Sequence, residues 1–316
     1  MQLRPVTGKF DRPSNLLRKS IAGTFALALL FGLAACGNPT DTKGSASKGT
    51  IQVVTSIGQW SALAQQLGGD KVKSQPVINN PNADAHDYEP TTSDIGHIGR
   101  ADLVIVNGAG YDSWASKAAN TNEHKIVDIA ASSGHKSGDN PHLWFSSQAR
   151  KQAAQAITKA YQELLPEEEQ YFSQQHARWQ QSEQGLSNRL AQVKTKVGGS
   201  TYIATESAAH YLAEDIGLTD NTPVGFSQAV ANESEPSPAD IHSTEQLLLN
   251  KKVQLLIFNN QEVSGVSNQL VSAAHTAALP VVQVSEQMPA EYHNLVDWIG
   301  SLLTEFEKAF DVSNAG

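Results

Sequence analysis

The sequence predicts an α/β protein of two lobes, each built on a parallel-type sheet, with one long helix joining them. From Ile51 onward, short β-branched runs alternate with helical patterns, which is typical of parallel α/β layering. The alternation stops over residues 146–197, where helical periodicity is almost unbroken, and it resumes at Thr201. The chain has 316 residues, which is long enough for two domains that each bury a core.

The first lobe is expected at residues 51–165. Its four predicted strands are short runs with β-branched residues, at Ile51–Thr55, Val72–Ile78, Leu103–Asn107 and Lys125–Ile129. Helical spacing marks segments between or after them, for example Trp60–Leu67, Thr92–Arg100 and Ser146–Leu165.

The linking helix is expected at residues 166–197. Pro166 suits the first turn of a helix, and the three glutamates that follow it suit the positive end of the helix dipole. Gly198 and Gly199 end the helical pattern. At 1.5 Å per residue the unbroken helix would be about 48 Å long.

The second lobe is expected at residues 198–316, where α/β alternation returns. Its predicted strands are Thr201–Thr205, Val224–Phe226, Val253–Phe258 and Val281–Val284, and a final helix covers Tyr292–Phe310.

Residues 1–35 have the pattern of an export signal. Basic residues precede an uncharged apolar run, residues 21–35, which is too short for a comfortable membrane span. The run ends in LAAC followed by glycine, and this resembles the lipobox of bacterial lipoproteins. The resemblance implies cleavage before Cys36 and a lipid on that cysteine. An uncleaved anchor or a simple secretory signal is the alternative, and either one also exports the protein.

The composition of the mature chain excludes several classes of site. Residues 36–50 are mainly Gly, Ser, Thr and Lys, which predicts a flexible tether. Cys36 is the only cysteine, so disulfides, thiolate metal sites and cysteine nucleophiles are excluded. Residues 1–35 hold five of the 23 basic and one of the 32 acidic residues, so their removal leaves a net charge of −13. Such a surface repels nucleic acid and mildly concentrates cations.

Four side chains with metal-binding chemistry follow predicted strands. His86 and His142 lie in loops of the first lobe, and Glu206 and Glu286 lie just after strands of the second. Ligands of open α/β sheets bind beyond the carboxyl ends of the strands, so the four are expected to face each other across the interlobe cleft. Two imidazoles and two carboxylates suit a first-row divalent ion. Each residue also has an ordinary interpretation, because loop histidines are commonly solvated and Glu206 could cap a helix.

The same segments resemble the metal-binding cluster of ABC-transporter solute-binding proteins, the zinc and manganese receptors related to streptococcal lipoprotein adhesins. The similar blocks are, in chain order, HDYEPTTSD, ADLVIVNGAGYDSW, NPHLW, TESAAHYLAEDIGL, ESEPSPADI and LPVVQVSEQMP. They occur in the family's order, and the resemblance extends over residues 51–310. The resemblance implies that His86, His142, Glu206 and Glu286 are the metal ligands and that an ABC permease is the partner.

The sequence departs from the family pattern near the ligands. Asp84-Ala85 and Asn140-Pro141 stand where the family has Asp-Pro before each ligand histidine, which affects loop rigidity and the hydrogen bonds that orient the ligands. Glu286 is longer than the usual aspartate, and its loop is shorter. His210, four residues after Glu206 on the same helical face, is an alternative ligand. The seven other histidines match no ligand position.

The expected cargo is Mn²⁺ or Zn²⁺. Zinc-preferring relatives usually offer three histidines and often a His-rich loop, whereas here Glu206 takes the third position and no His-rich tract exists. A carboxylate in place of an imidazole hardens the site and favours Mn²⁺. Zn²⁺ has the greater intrinsic affinity for most such sites, so both ions stay open.

Two other function classes are alternatives. A secreted metallohydrolase would also use His and carboxylate ligands, but the chain has neither H-E-x-x-H nor G-x-S-x-G. A surface adhesin is a name that some relatives carry, but no adhesive repeat occurs. We therefore expect a monomeric receptor without enzymatic activity, lipid-anchored on the outer face of the plasma membrane or on its periplasmic side. The long helix predicts only a small lobe motion on metal binding.

Overall fold

The computed structural model describes residues 49–80, 88–120 and 124–314. The predicted export signal, Cys36 and most of the predicted tether lie outside these ranges, as does His86. No helix within the described ranges is long and apolar enough to cross a bilayer.

The first lobe contains a four-stranded parallel sheet in the order β2-β1-β3-β4. Its elements are β1 (Ile51–Ile57), α1 (Gly58–Gly68), β2 (Val72–Ile78), α2 (Thr92–Ile98), β3 (Leu103–Val106), α3 (Ser113–Asn120), β4 (Lys125–Asp128), α4 (Ile129–Ser132) and α5 (Ser147–Leu164). Alternate residues of strand β3 pack in different core clusters. Leu103 and Ile105 belong to one cluster, and Val104 and Val106 belong to another. This alternation is the period of two expected for a strand covered on both faces.

The second lobe repeats the arrangement in the order β6-β5-β7-β8. Its elements are β5 (Thr201–Ala204), α7 (His210–Asp215), β6 (Thr219–Asp220), α8 (Val224–Ala231), α9 (Pro238–Leu249), β7 (Leu255–Asn259), α10 (Gly265–Thr276), β8 (Val281–Val284) and α11 (Leu295–Asn314). The first strand of each sheet therefore pairs with the second and third, and the fourth strand lies at the edge.

One long helix, α6 (Glu169–Val197), joins the lobes and follows a single 3-10 turn at Pro166–Glu168. Its 29 residues span roughly 44 Å at 1.5 Å per residue. It packs against α1 and α5 of the first lobe and against α11 of the second. A single buried cluster therefore runs through both lobes, from Ile51 to Phe310. The predicted fold class, two parallel α/β lobes with a long helix, is confirmed.

The strand predicted at Val224–Phe226 is wrong, because these residues begin helix α8. Val224 is 66% exposed, whereas Phe226 is buried and packs in the same cluster as Val230, four residues later. That spacing belongs to one face of a helix, and a three-residue apolar run is too short to reveal it. The sheet position is filled instead by the two exposed residues of β6.

Candidate metal centre

His142 ends the irregular segment after α4 and precedes the 3-10 turn Leu143–Phe145. Its side chain is 2% exposed. The Oδ1 atom of Asn140 accepts hydrogen bonds from the backbone N–H of His142 at 3.0 Å and from its Nδ1 at 2.8 Å. The Nδ2 atom of Asn140 donates to the carbonyl oxygen of Ser207 at 2.9 Å. Because a carbonyl only accepts, this contact orients the amide and assigns the imidazole proton to Nδ1, which makes Nε2 the nitrogen that could bind a metal.

Glu206 follows β5, and hydrogen bonds hold one of its two oxygens. Its Oε2 atom accepts from the backbone N–H of Ala208 at 3.1 Å and from Nδ2 of Asn259 at 3.0 Å. Its Oε1 atom lies 3.7 Å from Nε2 of His142. The carboxylate thus presents a single oxygen to the histidine across the cleft.

Glu286 follows β8 and is buried. The hydroxyl of Tyr111 donates a hydrogen bond to its Oε1, and its Oε2 lies 3.8 Å from Nε2 of His142. The backbone of Glu286 is held on both sides, because its N–H donates to the side chain of Gln261 and its carbonyl accepts from Nε2 of Gln59. The first lobe therefore positions this residue of the second lobe through two side chains.

The loop that carries Tyr111 makes a sharp turn after β3. Gly108, Ala109 and Gly110 all have positive φ, and a Cβ at Gly108 would lie 2.3 Å from a carboxylate oxygen of Asp128. Asp112 accepts hydrogen bonds from the N–H groups at the start of the turn. Burial raises the pKa of Asp112, and those hydrogen bonds, which favour the carboxylate, offset part of the rise.

His142, Glu206 and Glu286 come together in the structure. One ligand atom from each lies within 4.8 Å of the others, and they are the one such group of His, Cys, Asp and Glu within the described residues. Bonds to a first-row divalent ion are about 2.0–2.2 Å long, so ligand atoms of one ion are a little over 3 Å apart. The distances from Nε2 of His142 to the nearer oxygens of Glu206 and Glu286, 3.7 and 3.8 Å, exceed this spacing by a few tenths of an ångström. His210 is not part of the group, and His86 lies outside the described residues.

The electrostatics of the group favour a cation. Burial lowers the tendency of His142 to take up a proton, but the two carboxylates outweigh this effect and hold its pKa above the ordinary value of 6.5. A cavity of about 1110 Å³ borders all three residues, and no Lys or Arg is found among the described residues that line it. A divalent cation is thus the species that would satisfy the paired negative charges.

Sequence reasoning identified the three converging side chains but not their supports. The supports Asn259 and Tyr111 were not predicted, although a simple pattern marks the position of Asn259. Asn107 follows β3 and Asn259 ends β7, so each lobe has an asparagine at the carboxyl end of its third strand. Polar residues at that edge are the ones that reach a ligand site.

The chain matches known proteins over most of its length. The model of the family described as "Zinc-uptake complex component A periplasmic" (ZnuA) matches residues 53–309. The high-affinity zinc uptake system protein ZnuA of Bacillus subtilis (strain 168) is 27% identical over 278 residues, which cover 80% of this chain and 85% of the relative. The manganese ABC transporter substrate-binding lipoprotein PsaA of Streptococcus pneumoniae is 27% identical over 264 residues, with 75% and 81% coverage.

The fold is also similar to a solved structure. The periplasmic zinc-binding protein TroA from Treponema pallidum superimposes with a TM-score of 0.70 at 19% identity, over 83% of this chain and 99% of TroA. At that identity the likeness supports the two-lobed fold. Because the family match spans far more than half of the chain, the protein belongs to the ZnuA family of metal-binding solute-binding proteins, as its motifs predicted.

Proposed function

We propose that this protein is the extracytoplasmic receptor of an ABC importer, which captures Zn²⁺ or Mn²⁺ and delivers it to a membrane permease. The observation that carries the proposal is the convergence of His142 Nε2, Glu206 Oε1 and Glu286 Oε2 from two lobes. The relatives named above include a zinc uptake system protein and a manganese ABC transporter lipoprotein, and the family is one of solute-binding receptors rather than enzymes.

Charge balance supports a divalent ion as the cargo. A neutral imidazole and two carboxylates together carry two negative charges, so the complex with a divalent cation is neutral. A neutral complex suits a buried site, because an uncompensated charge there is costly. Capture would exchange the water shell of the ion for these side chains.

We propose His86 as the fourth ligand. It precedes Tyr88 by two residues, and Tyr88 is anchored to the first lobe. The hydroxyl of Tyr88 donates to Asp94 at 2.8 Å, and its ring lies 5.1 Å from that of Trp114. The short separation in sequence between His86 and this anchor supports a ligand contributed by the same lobe as His142.

The shared core supports a capture step with little lobe motion. The buried cluster is continuous between the lobes, and α6 packs on both. Opening the cleft widely would expose part of this core to water, which costs roughly 25 cal/mol for each Å² of apolar surface. We therefore propose that the permease recognises the metal-loaded form through small local changes.

A lipid on Cys36 would keep the receptor near its permease. We propose this anchor from the LAAC-G motif. A Cys36→Ala protein is expected in the soluble extracytoplasmic fraction while the unaltered protein stays with the membrane. Membrane retention of both proteins in cell fractionation would contradict the anchor.

Metal titration tests the proposed function. We expect the chelator-stripped protein to bind one Zn²⁺ or Mn²⁺ per chain in calorimetry. His142→Ala and Glu286→Gln each remove a ligand atom and should weaken binding by more than the roughly 10- to 100-fold typical of supporting residues.

Exposed residues of the same chemistry provide the controls. His275→Ala and Glu305→Gln alter side chains on the surface of α10 and α11 and should leave affinity unchanged. Binding of neither metal by the unaltered protein, or full affinity in His142→Ala, would contradict the proposal.

A further inference from the structure

The two carboxylates of the centre share a feature beyond their position. In each, one oxygen accepts a hydrogen bond from a polar side chain, and the other faces Nε2 of His142. The supporting side chains are Tyr111 for Glu286 and Asn259 for Glu206.

The Tyr111 hydroxyl donates a hydrogen bond to Glu286. Its oxygen accepts a hydrogen bond from Nε2 of Gln287 at 3.1 Å, so its own proton is directed to Oε1 of Glu286. Tyr111 is 3% exposed, which keeps water from replacing this contact readily. For Oε1 to turn toward a metal, the carboxylate would have to rotate and break the bond with Tyr111.

Asn259 holds Glu206 in an equivalent way. Its backbone N–H donates to Oγ1 of Thr205 at 3.1 Å, and its Oδ1 accepts from the N–H of Gln261 at 3.1 Å. The Oδ1 contact orients the amide, so that Nδ2 donates to Oε2 of Glu206 at 3.0 Å. Asn259 is fully buried.

We propose that Tyr111 and Asn259 are positioning residues that restrict each glutamate to one metal-binding oxygen and thereby favour Zn²⁺ over Mn²⁺. This inference rests on the proposed function of the same site. It concerns which ion the site selects, and the metal-binding step itself does not depend on it.

The physical basis is coordination number. Zn²⁺ in proteins is commonly four-coordinate with short bonds, whereas Mn²⁺ with oxygen ligands prefers six-coordinate geometry. A carboxylate that binds through both oxygens supplies one more ligand atom than a carboxylate that binds through one. Two carboxylates that are each restricted to one oxygen therefore supply two ligand atoms fewer. Mn²⁺ would have to keep water molecules on the cavity side, near Glu206, to complete its shell.

This argument opposes the one from ligand hardness. The carboxylate of Glu206, in place of a third imidazole, favours Mn²⁺, whereas the number of oxygens offered favours Zn²⁺. The two effects can be separated, because removing the Tyr111 hydroxyl changes the number of available oxygens without changing any ligand type.

The test is competitive titration of Zn²⁺ and Mn²⁺ with the unaltered protein and with Tyr111→Phe. Phenylalanine keeps the buried ring and removes the hydrogen bond from the Tyr111 hydroxyl to Oε1 of Glu286, so Mn²⁺ should gain a ligand. We expect the ratio of Zn²⁺ to Mn²⁺ affinity to fall about tenfold or more, within the range seen for supporting residues of metal sites. Asn259→Ala should lower the ratio less, because the N–H of Ala208 still holds Glu206.

Co²⁺ provides a spectroscopic readout that a structural role would not move. Its visible absorption is intense in four-coordinate sites and weakens as further ligands bind, so we expect weaker bands in Tyr111→Phe. Tyr161→Phe is the matched control, because it removes a buried hydroxyl that donates to Ala64 in the first-lobe core. The control should change neither the ratio nor the spectrum.

The outcomes separate this inference from the proposed function. If the unaltered protein binds metal but Tyr111→Phe keeps or raises the Zn²⁺ to Mn²⁺ ratio, the role of Tyr111 is refuted and the receptor function stands. If the unaltered protein binds neither ion, both fail. Should Tyr111→Phe not fold, the ratio measured for Asn259→Ala decides, and an unchanged ratio there refutes the inference.

Discussion

Asn107 and Asn259 occupy corresponding positions in the two lobes but form hydrogen bonds with different kinds of partner. Each lies at the carboxyl end of the third strand of its sheet, and each is fully buried. Asn107 binds structural groups: its Oδ1 accepts from the indole N–H of Trp60 at 2.9 Å, and its Nδ2 donates to the carbonyl of Pro141 at 2.9 Å. Asn259 instead donates to the side chain of Glu206.

The difference shows two ways of positioning a proposed metal ligand. In the first lobe, side chains bind backbone carbonyls on either side of His142 and secure its loop, in addition to the hydrogen bond between Asn140 and Nδ1 of His142. In the second lobe, hydrogen bonds act on the ligand oxygens themselves. Residues that hold the first-lobe loop are therefore part of the fold's core, and their loss should lower stability. Residues that hold the carboxylate oxygens should chiefly affect metal affinity and selectivity.

Arg150 is the second backbone anchor of the first-lobe loop. Its Nη1 donates to the carbonyl of Trp144 at 3.0 Å, two residues after His142. A buried ion pair holds the guanidinium, because its Nε and Nη2 donate to Glu183 of α6, the shorter contact being 2.7 Å. The ion pair thus links the linking helix to the ligand loop.

The largest expected effect on stability is from Glu183→Gln. This change leaves the buried Arg150 without its counter-charge, and breaking such a pair costs about 3–5 kcal/mol. We expect that loss in the free energy of unfolding of the metal-free protein, measured with denaturant, together with weaker metal binding.

Glu305→Gln breaks an exposed ion pair and provides the control for Glu183→Gln. Its effect should stay within about 0.5 kcal/mol. A stability of Glu183→Gln equal to that of the unaltered protein would show that the backbone anchor is not coupled to the core.

Asn107→Ala should have the next largest effect on the free energy of unfolding. It directly tests the comparison between Asn107 and Asn259. It leaves the N–H of Trp60 and the carbonyl of Pro141 buried without this partner, which costs about 2 kcal/mol. Asn259→Ala should lower the unfolding free energy less and metal affinity more. Denaturant unfolding of both metal-free variants, beside metal titration of both, measures the difference.

Asn268→Ala, at an exposed position on α10, is the control for both asparagines and should change neither quantity. Equal losses of stability in Asn107→Ala and Asn259→Ala would contradict the proposed difference between a stabilising asparagine in the first lobe and a ligand-positioning asparagine in the second.

Local pattern was a sufficient guide where elements are long or strongly periodic. The strand at Val72–Ile78 and the linking helix were predicted from β-branched content and helical spacing, and both are present. The strand at Val224–Phe226 was wrong, since so short a run has no readable period and the packing of Phe226 and Val230 decides its state.

The sequence by itself determined the fold class, the family and the three side chains that converge, because strand order along a parallel sheet carries residues after each strand to one edge. Tertiary structure alone decided which oxygen of each glutamate faces His142. That choice depends on Tyr111, 175 residues from Glu286, and on Asn259, 53 residues from Glu206. Contacts between residues so far apart leave no local periodicity in the chain, and only folding brings their donors within hydrogen-bond reach.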